Sequence, residues 1–387
     1  MGLLFRYQLS VLTVIMLSQL AGAQQAKSEP FVQYTGQEAE YLKRLHSRDG
    51  ALAWSQAFDG GFTAWQTAAR AKLVELLGLD RIAADAARHR PAVKLEPPIP
   101  EDGFVRQLGR IETEPGIVVP FWLLTPNNRP AEKRPLVICA HGHNTNGWNS
   151  YAGVYDDSQQ RQATLAKEGD PGVQAVQRGY VALVPATRGL AATNSISDLK
   201  GRHGKRPCRA QLIHCLLAGR TAVGERVWDT QRILDWALAE LPNVDDDRVV
   251  MLGNSGGGVL TVYVAALDER VAVAVPNCSF TSFTSSTGFV FHCDCCLVPR
   301  IQVEIGDMPD IGALAAPRPL LAVHGRKDSL HSSNDVESAM ERVQEIYHEA
   351  GAANRFRFVW GNEGHKFYPD LMWPFIRKHL PPEPSTN

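Results

Sequence analysis

The chain has 387 residues, of which 44% are hydrophobic, and its 40 basic side chains nearly balance 41 acidic ones. The formal net charge of −1 gives no electrostatic basis for binding nucleic acid or an anionic membrane surface. We therefore expect no nucleic-acid partner and no stable membrane association. A binding partner that is neutral or weakly charged is more consistent with this net charge. The length is compatible with one α/β domain that carries insertions.

The first 23 residues are typical of an export signal rather than of a folded domain. Arg6 precedes a short, interrupted apolar stretch at residues 9–20, and residues 21–23 read Ala-Gly-Ala, as signal peptidase requires. The stretch is shorter than the ~20 apolar residues that span a bilayer. We predict a signal peptide at 1–23 and a secreted or periplasmic protein; a retained membrane anchor is the alternative.

The mature chain is predicted to contain two parts. Apolar residues recur at helical spacing over 37–88, and prolines at 97, 98 and 100 end that region. Residues 24–100 are therefore predicted to form an N-terminal helical segment that packs on the core. Residues 101–387 are predicted to form the main domain.

Short apolar runs alternate with helical patterns through the main domain, after two strand-like segments at about 104–113 and 117–124. Strands are predicted at 136–140, 180–184, 249–252, 271–275, 320–323 and 356–359, and helices at 226–240, 256–267 and 334–349. This alternation predicts an α/β fold with a mostly parallel central sheet flanked by helices. Two insertions that follow strands, 187–225 and 278–316, are predicted to form the walls or lid of a pocket.

The strongest chemical signal lies at residues 253–257, which read Gly-Asn-Ser-Gly-Gly between a predicted strand and a predicted helix. A Gly-x-Ser-x-Gly motif in this setting places its serine in a tight turn that lifts the hydroxyl above the sheet edge. Side chains at 253 or 257 would collide with neighbouring backbone, and the following helix directs its N–H groups at a developing oxyanion. We predict that Ser255 is a catalytic nucleophile.

A serine hydroxyl needs a base and an acid to become a nucleophile. His365 follows the last predicted strand, and Asp328 follows the strand at 320–323, which gives the order serine, acid, histidine that this type of fold uses. The sequence therefore predicts a triad of Ser255, Asp328 and His365. Asp335 is the weaker alternative because it lies at a helix start, and Glu363 would need a sharp bend to reach the imidazole.

The segment after the strand at 136–140 reads His-Gly-His-Asn at 141–144, and this position supplies an oxyanion-hole N–H in such folds. We assign the two donors to the backbone N–H groups of His143 and Gly256, with Asn144 as an equal alternative to His143. His141 is predicted to be a hydrogen-bonded structural group.

Arg188 follows the strand at 180–184. It is a candidate anchor for a substrate carboxylate, although an arginine at such a position more often pins a loop by ion pairing.

Seven cysteines are present, so at least one stays unpaired in an exported protein. We expect Cys139, inside a predicted strand, to be free. The cluster at 292–296, His-Cys-Asp-Cys-Cys, lacks the usual spacing of a zinc site, and disulfide pairing to Cys278, Cys208 or Cys215 is favoured over metal. No metal and no organic cofactor is expected.

The sequence resembles bacterial α/β-hydrolases of the acetylxylan-esterase-like and dienelactone-hydrolase-like type over about 100–380. The motifs that carry the resemblance lie at 141–143, 219–229, 253–257, 292–295, 316–320 and 364–369. The resemblance implies carboxylic-ester hydrolysis, with deacetylation of a plant or algal polysaccharide as one form of it. A dienelactone hydrolase proper would have a cysteine nucleophile, which Ser255 argues against.

The predicted function is therefore a serine carboxylic-ester hydrolase that works through an acyl-enzyme on a small-molecule or carbohydrate ester. Two enzyme alternatives use the same triad: a uronate methyl esterase, for which Arg188 would supply the cation, and a serine peptidase. A catalytically silent binding protein on the same scaffold is the alternative from another class.

Overall fold

The computed structural model describes residues 34–46, 49–127, 133–144, 146–190, 202 and 206–382. The predicted signal peptide and part of the first insertion lie outside these residues. In the part of the chain that is described, ten strands form one sheet. They are β1 (Val93–Leu95), β2 (Ile99–Pro100), β3 (Phe104–Glu114), β4 (Ile117–Pro126), β5 (Arg134–Ala140), β6 (Val181–Pro185), β7 (Val244–Asn254), β8 (Val271–Asn277), β9 (Leu320–Gly325) and β10 (Phe356–Gly361).

The helices cover both faces of this sheet. Along the chain they are α1 (Gly36–Leu45), α2 (Gly61–Leu77), α3 (Leu79–Asp85), α4 (Gly147–Tyr151), α5 (Ser158–Ala166), α6 (Pro171–Gln177), α7 (Pro207–Ala218), α8 (Ala222–Glu240), α9 (Gly256–Leu267), α10 (Ile301–Glu304), α11 (Met308–Ala313), α12 (Ser333–Glu349) and α13 (Pro369–His379). Two short 3-10 turns lie at Asp294–Cys296 and Ala353–Arg355. No helix within the described ranges is long and apolar enough to cross a bilayer.

The sheet order is β1-β3-β4-β6-β5-β7-β8-β9-β10, with β2 beside β3. The strands from β6 to β10 pair in parallel, and β1 to β4 form an antiparallel extension joined through β4 and β6. All seven residues of β5 are buried, as expected of a parallel strand covered on both faces. The prediction of an α/β fold with a mostly parallel sheet is confirmed.

Two hydrophobic cores fill the spaces between the sheet and its helices. The larger core joins one sheet face to α2, α3, α8, α9, α11 and α12, and the smaller joins the other face to α4, α6 and α13. Trp65 of α2 has no exposed surface and belongs to the larger core, so part of the N-terminal helical region contributes to the same core as the sheet. Truncation of such a buried aromatic side chain costs about 3–5 kcal/mol.

The helical region predicted over 37–88 is interrupted in the structure. Residues 49–60 form turns and irregular segments, and Gly60 and Gly61, with φ of 79° and 72°, lead the chain into α2. Trp54 nevertheless packs on Trp65 with ring centroids 5.2 Å apart, so its side chain contributes to the core from outside a helix. The first insertion contains α7, which the sequence pattern did not indicate.

Parallel pairing places the carboxyl ends of five neighbouring strands at one edge of the sheet. The loops that leave β5, β7, β9 and β10 at this edge carry, in order, His143, Ser255, Asp328 and His365. The fold therefore gathers side chains that are far apart in sequence.

Candidate active site

Ser255 occupies a strained turn between β7 and α9. Its φ of 58° and ψ of −125° lie where residues with a side chain rarely occur. The chain passes so closely that a side-chain carbon at Gly253 would lie 2.3 Å from the carbonyl oxygen of Gly257, and one at Gly257 would lie 2.0 Å from that of Ala140. The two glycines therefore make the turn possible, and Ser255 is left half-buried at the sheet edge.

His365 and Asp328 form a hydrogen-bonded pair beside this turn. Asp328 Oδ2 lies 2.7 Å from His365 Nδ1, and Asp328 Oδ1 accepts the N–H of Leu330 at 3.0 Å. Burial raises the pKa of Asp328, but the hydrogen bond and charge of His365 outweigh it, and the pKa is lowered overall. An ionised carboxylate only accepts, so Nδ1 carries the proton and Nε2 is left as a base.

The two alternative acids have other partners. Asp335 accepts the backbone N–H of Ser286 at 3.0 Å and lies in the first turn of α12. Glu363 is exposed and accepts from Lys327 Nζ at 3.1 Å. Neither carboxylate is hydrogen-bonded to His365 in the described structure, so the geometry favours Asp328.

The structure does not join Ser255 to His365 directly: among the residues described, no hydrogen bond connects the two side chains. Asn277, at the end of β8, links their loops instead. Its Nδ2 donates to Asn254 Oδ1 at 2.5 Å and to the carbonyl oxygen of Lys366 at 2.7 Å, and its own carbonyl oxygen accepts the Ser255 N–H at 3.0 Å. Catalytic hydrogen bonds are often long without substrate, so this arrangement is compatible with the predicted triad.

Sequence reasoning missed Asn277. The only signal available was its place at the end of a parallel strand next to the strand that carries the nucleophile.

The two predicted oxyanion donors are neighbours. Gly142 packs so closely on the turn that a side-chain carbon there would lie 3.0 Å from the Gly256 nitrogen, and the ring of His143 lies over Gly256. The Asn144 N–H already donates to the Gly142 carbonyl oxygen at 2.8 Å. This occupied N–H favours the backbone of His143 over that of Asn144 as the second donor.

His141 is fully buried and held at both ring nitrogens. Nδ1 lies 2.8 Å from the Gly142 carbonyl oxygen, and Nε2 accepts the Thr187 N–H at 2.9 Å. Because burial disfavours the charged ring, the pKa of His141 falls to about 4. A neutral, doubly bonded imidazole is a structural group, as the sequence analysis expected.

Arg188 is buried among carboxylates of the scaffold, so the interpretation of it as a substrate anchor needs correction. The residue is 6% exposed, and its guanidinium donates to Asp229 Oδ2 at 2.8 Å and to Glu114 Oε1 at 2.7 Å. Its remaining donors contact Asp229 and Thr113. All three nitrogen atoms of the guanidinium thus donate to groups of the protein itself. Arg188 therefore fits the alternative interpretation, in which it holds a loop in place by ion pairing.

All seven cysteines are free thiols in the structure, so the favoured disulfide is not formed. Cys139 is buried in β5, where it was expected to be unpaired. His143 Nε2 lies 3.1 Å from Cys295 Sγ. Burial lowers the pKa of His143, but hydrogen bonds with Cys293 and Cys295 raise it to about 9.

The sheet order, the strained serine turn and the order serine, acid, histidine along the chain define the class of the protein. Together these features define the α/β-hydrolase fold.

Comparisons with known proteins show which families of hydrolases this chain is similar to. The family model for acetyl xylan esterase matches residues 166–285. YtaP of Bacillus subtilis (strain 168), which its name assigns to the hydrolases, is 30% identical over 158 residues, which are 39% of this chain and 50% of that protein. The chain thus spans about half the length of this curated relative.

Two solved structures share the fold across most of the chain. Methylesterase BT1017 has a TM-score of 0.63 at 23% identity and covers 90% of this chain and 70% of its own. BF1801 of Bacteroides fragilis NCTC 9343, described as a candidate acetyl xylan esterase, has a TM-score of 0.67 at 16% identity and covers 92% and 97%. At these identities the structures establish the fold.

Proposed function

We propose that this protein is a serine carboxylic-ester hydrolase that works through an acyl-enzyme and removes acetyl groups from a carbohydrate. One observation carries the proposal: Ser255 lies in a strained strand–helix turn at the sheet edge where the buried Asp328 lies 2.7 Å from the imidazole of His365. A nucleophile, a base and an orienting acid are the groups that acyl transfer requires. The match of residues 166–285 to the acetyl xylan esterase model supports the acetyl group.

In the proposed reaction, His365 Nε2 takes the proton of Ser255 as the hydroxyl oxygen attacks the ester carbonyl carbon. The N–H groups of Gly256 and His143 stabilise the tetrahedral oxyanion, and Asp328 stabilises the imidazolium. His365 then gives the proton to the leaving alcohol as the carbon–oxygen bond breaks. Water, deprotonated by His365, releases acetate from Ser255 by the same route. The steps use only protein groups and water.

The test uses Ser255→Ala with Ser338→Ala, an exposed serine on α12 outside both insertions, as its matched control. We expect Ser255→Ala to lower kcat on p-nitrophenyl acetate by about 10³- to 10⁶-fold and to lose labelling by a fluorophosphonate probe. Ser338→Ala should retain both. Near-normal turnover in Ser255→Ala would disprove the nucleophile, and an unlabelled, inactive native protein would favour the catalytically silent alternative.

A uronate methyl ester is the second candidate substrate, because the structure is similar to that of methylesterase BT1017. The argument from Arg188 for a uronate carboxylate no longer holds, since ion pairs within the scaffold use its guanidinium. A side-by-side assay of acetylated xylan oligomers and uronate methyl esters decides between the two. Faster hydrolysis of the methyl ester would replace the acetyl proposal, and cleavage of peptides alone would favour the peptidase.

We also propose that the protein is exported, on the basis of the sequence of residues 1–23. Expression of the full chain in a bacterial host should yield a product outside the cytoplasm that begins at Gln24. A product found in the cytoplasm with its first 23 residues attached would contradict this.

A further inference from the structure

We propose that His143, Cys295 and Cys296 form a zinc site in the wall of the candidate active site. The site is separate from ester hydrolysis and reverses the expectation, drawn from cysteine spacing, that the protein holds no metal. The ligand atoms of His143, Cys295 and Cys296 all lie within 4.8 Å of one another. A water molecule would complete the four-coordinate ion.

The distances are close to those of a tetrahedral zinc centre. Bonds of about 2.3 Å to sulfur and about 2.0 Å to nitrogen put the ligand atoms of such a centre about 3.6–3.8 Å apart. In the structure His143 Nε2 lies 3.1 Å from Cys295 Sγ, and the largest separation within the group of three is below 4.8 Å. Shifts of about 1 Å or less would bring these atoms to bonding positions, so the backbone need not rearrange.

The donor set suits zinc. Two thiolates and one imidazole form a Cys₂His set, which binds zinc in proteins with the fourth position left to water. Cys295 and Cys296 have 0% and 2% of their surface exposed, which keeps competing water away. His143 is the exposed member of the group, so its side gives the ion a path into the site.

Arg226 supplies an independent argument from charge. This residue is 1% exposed, and its Nη1 donates to the Cys295 carbonyl oxygen at 3.2 Å and to Cys296 Sγ at 3.9 Å. Its other partners are the Arg188 carbonyl oxygen and Gln211 Oε1, and no carboxylate within the described residues pairs with it. A buried cation without an acid needs another anion. The thiolate sulfur atoms of Cys295 and Cys296 that zinc would hold place negative charge beside this guanidinium.

The site has a consequence for the neighbouring turn. The ring of His143 lies against Gly256, and a side-chain carbon on that glycine would be 3.0 Å from His143 Nδ1. Zinc bound at Nε2 would fix this ring and, with it, the segment at 142–143 that packs against the turn of Ser255. The metal is therefore expected to act by positioning this segment, and its binding is measurable without any assay of ester hydrolysis.

A disulfide is the competing fate of these thiols. Cys208 contacts Cys295, and Cys208, Asp294 and Cys295 form a second close group. Zinc binding joins Cys295 to Cys296, whereas the disulfide would join Cys295 to Cys208. This difference provides a matched pair of variants. Cys296→Ser removes a zinc ligand and leaves Cys208 and Cys295 able to pair, whereas Cys208→Ser prevents that disulfide and leaves the zinc ligands in place.

The full chain, exported and purified without chelator or reductant, is analysed by elemental mass spectrometry after equilibration with zinc chloride and gel filtration. We expect about one zinc per chain in the native protein and in Cys208→Ser, and less than about one fifth of that in Cys296→Ser. Native protein without zinc, or a disulfide-linked Cys208–Cys295 peptide in most molecules, would overturn the proposal. Equal zinc in Cys296→Ser would also overturn it.

A second measurement needs no variant, in case Cys296→Ser does not fold. Cobalt(II) added to the metal-depleted native protein should give an intense thiolate-to-cobalt charge-transfer band and the visible bands of a tetrahedral ion, which zinc then displaces. Spectra that show only weak octahedral bands would exclude a thiolate site, whether or not the protein hydrolyses esters.

Discussion

Two buried acid–base pairs near the sheet edge use similar residues for different purposes. In the pair Asp328–His365, the aspartate side chain is 2% exposed and the histidine 28%. In the pair Arg188–Asp229, both side chains are 6% exposed, and Glu114 adds a third charge. The first pair has one face open to solvent and to a substrate, whereas the second is closed on all sides by the protein.

This difference in exposure separates a group that can exchange protons from a group that cannot. An imidazole with one free nitrogen at an open edge can accept and return a proton within a reaction cycle. A guanidinium that makes hydrogen bonds in every direction inside the core only maintains the scaffold, and removal of one partner leaves an uncompensated buried charge. Exposure and partners, rather than residue type, therefore decide which pair carries the chemistry.

Among the variants that test this comparison, Asp328→Asn is expected to have the largest effect on activity. An amide can donate to His365 Nδ1 and hold the wrong tautomer, so Nε2 would carry the proton and lose its function as a base. We expect kcat on p-nitrophenyl acetate to fall about 10³- to 10⁴-fold with little change in KM. Steady-state kinetics and a thermal melt, which should change little, measure this.

Asp335→Asn is the matched control for that variant, since Asp335 lies at a helix start and contacts Ser286 rather than His365. It should keep kcat within about threefold of the native value, because its loss affects a cap and not the base. The reverse ranking of the two variants would move the catalytic acid to α12.

The closed pair is tested by Arg188→Met, which keeps the length of the side chain and removes its charge. Asp229 would remain buried without a cation, and Glu114 would keep only Arg220, so the free energy of unfolding should fall by about 3–5 kcal/mol. Urea denaturation measures the loss, and kcat per folded molecule should stay near the native value.

Arg110→Met is the surface control, since Arg110 of β3 pairs with Glu96 where the side chains are 43% and 42% exposed, and it should cost less than about 1 kcal/mol. An Arg188→Met protein of native stability whose KM rises only for uronate esters would restore the role of substrate anchor.

Much of the fold was predictable because local patterns agree with the tertiary structure. The run at 136–140 lies within β5, and helices predicted at 256–267 and 334–349 match α9 and α12 to within one residue. The pairing of Asp328 with His365 was predictable from chain order, since both follow parallel strands whose ends share an edge. Their catalytic roles, with that of Ser255, stay predictions until the variants are measured.

The rest depends on contacts between distant segments. The sequence around Arg188 does not show that Glu114, on β3, and Asp229, on α8, surround it. The cysteine cluster likewise has an unusual spacing within 293–296, and its histidine is supplied by a loop about 150 residues away, as the sequence numbers show. Motif spacing along the chain cannot reveal a ligand set that the tertiary fold completes.

The smallest expected effect on activity comes from Asn277→Ala. This variant tests whether the side-chain amide of Asn277 positions the pair Asp328–His365 relative to Ser255. The variant removes the Nδ2 donor shared by Asn254 Oδ1 and the Lys366 carbonyl oxygen. Because a small misplacement of the base relative to the nucleophile slows the chemical step, we expect kcat to fall about 10- to 100-fold with KM almost unchanged. Fluorophosphonate labelling of Ser255 should slow in parallel.

A merely structural role of Asn277 would lower the free energy of unfolding by about 1–3 kcal/mol without slowing the labelling of the folded fraction. Asn354→Ala, at an exposed turn far from the edge, is the control for both readouts. Slower labelling in Asn277→Ala alone would show that the open pair works only when the loops after β7 and β10 are tied together. Equal labelling rates in both variants would mean that the imidazole reaches the hydroxyl without this link.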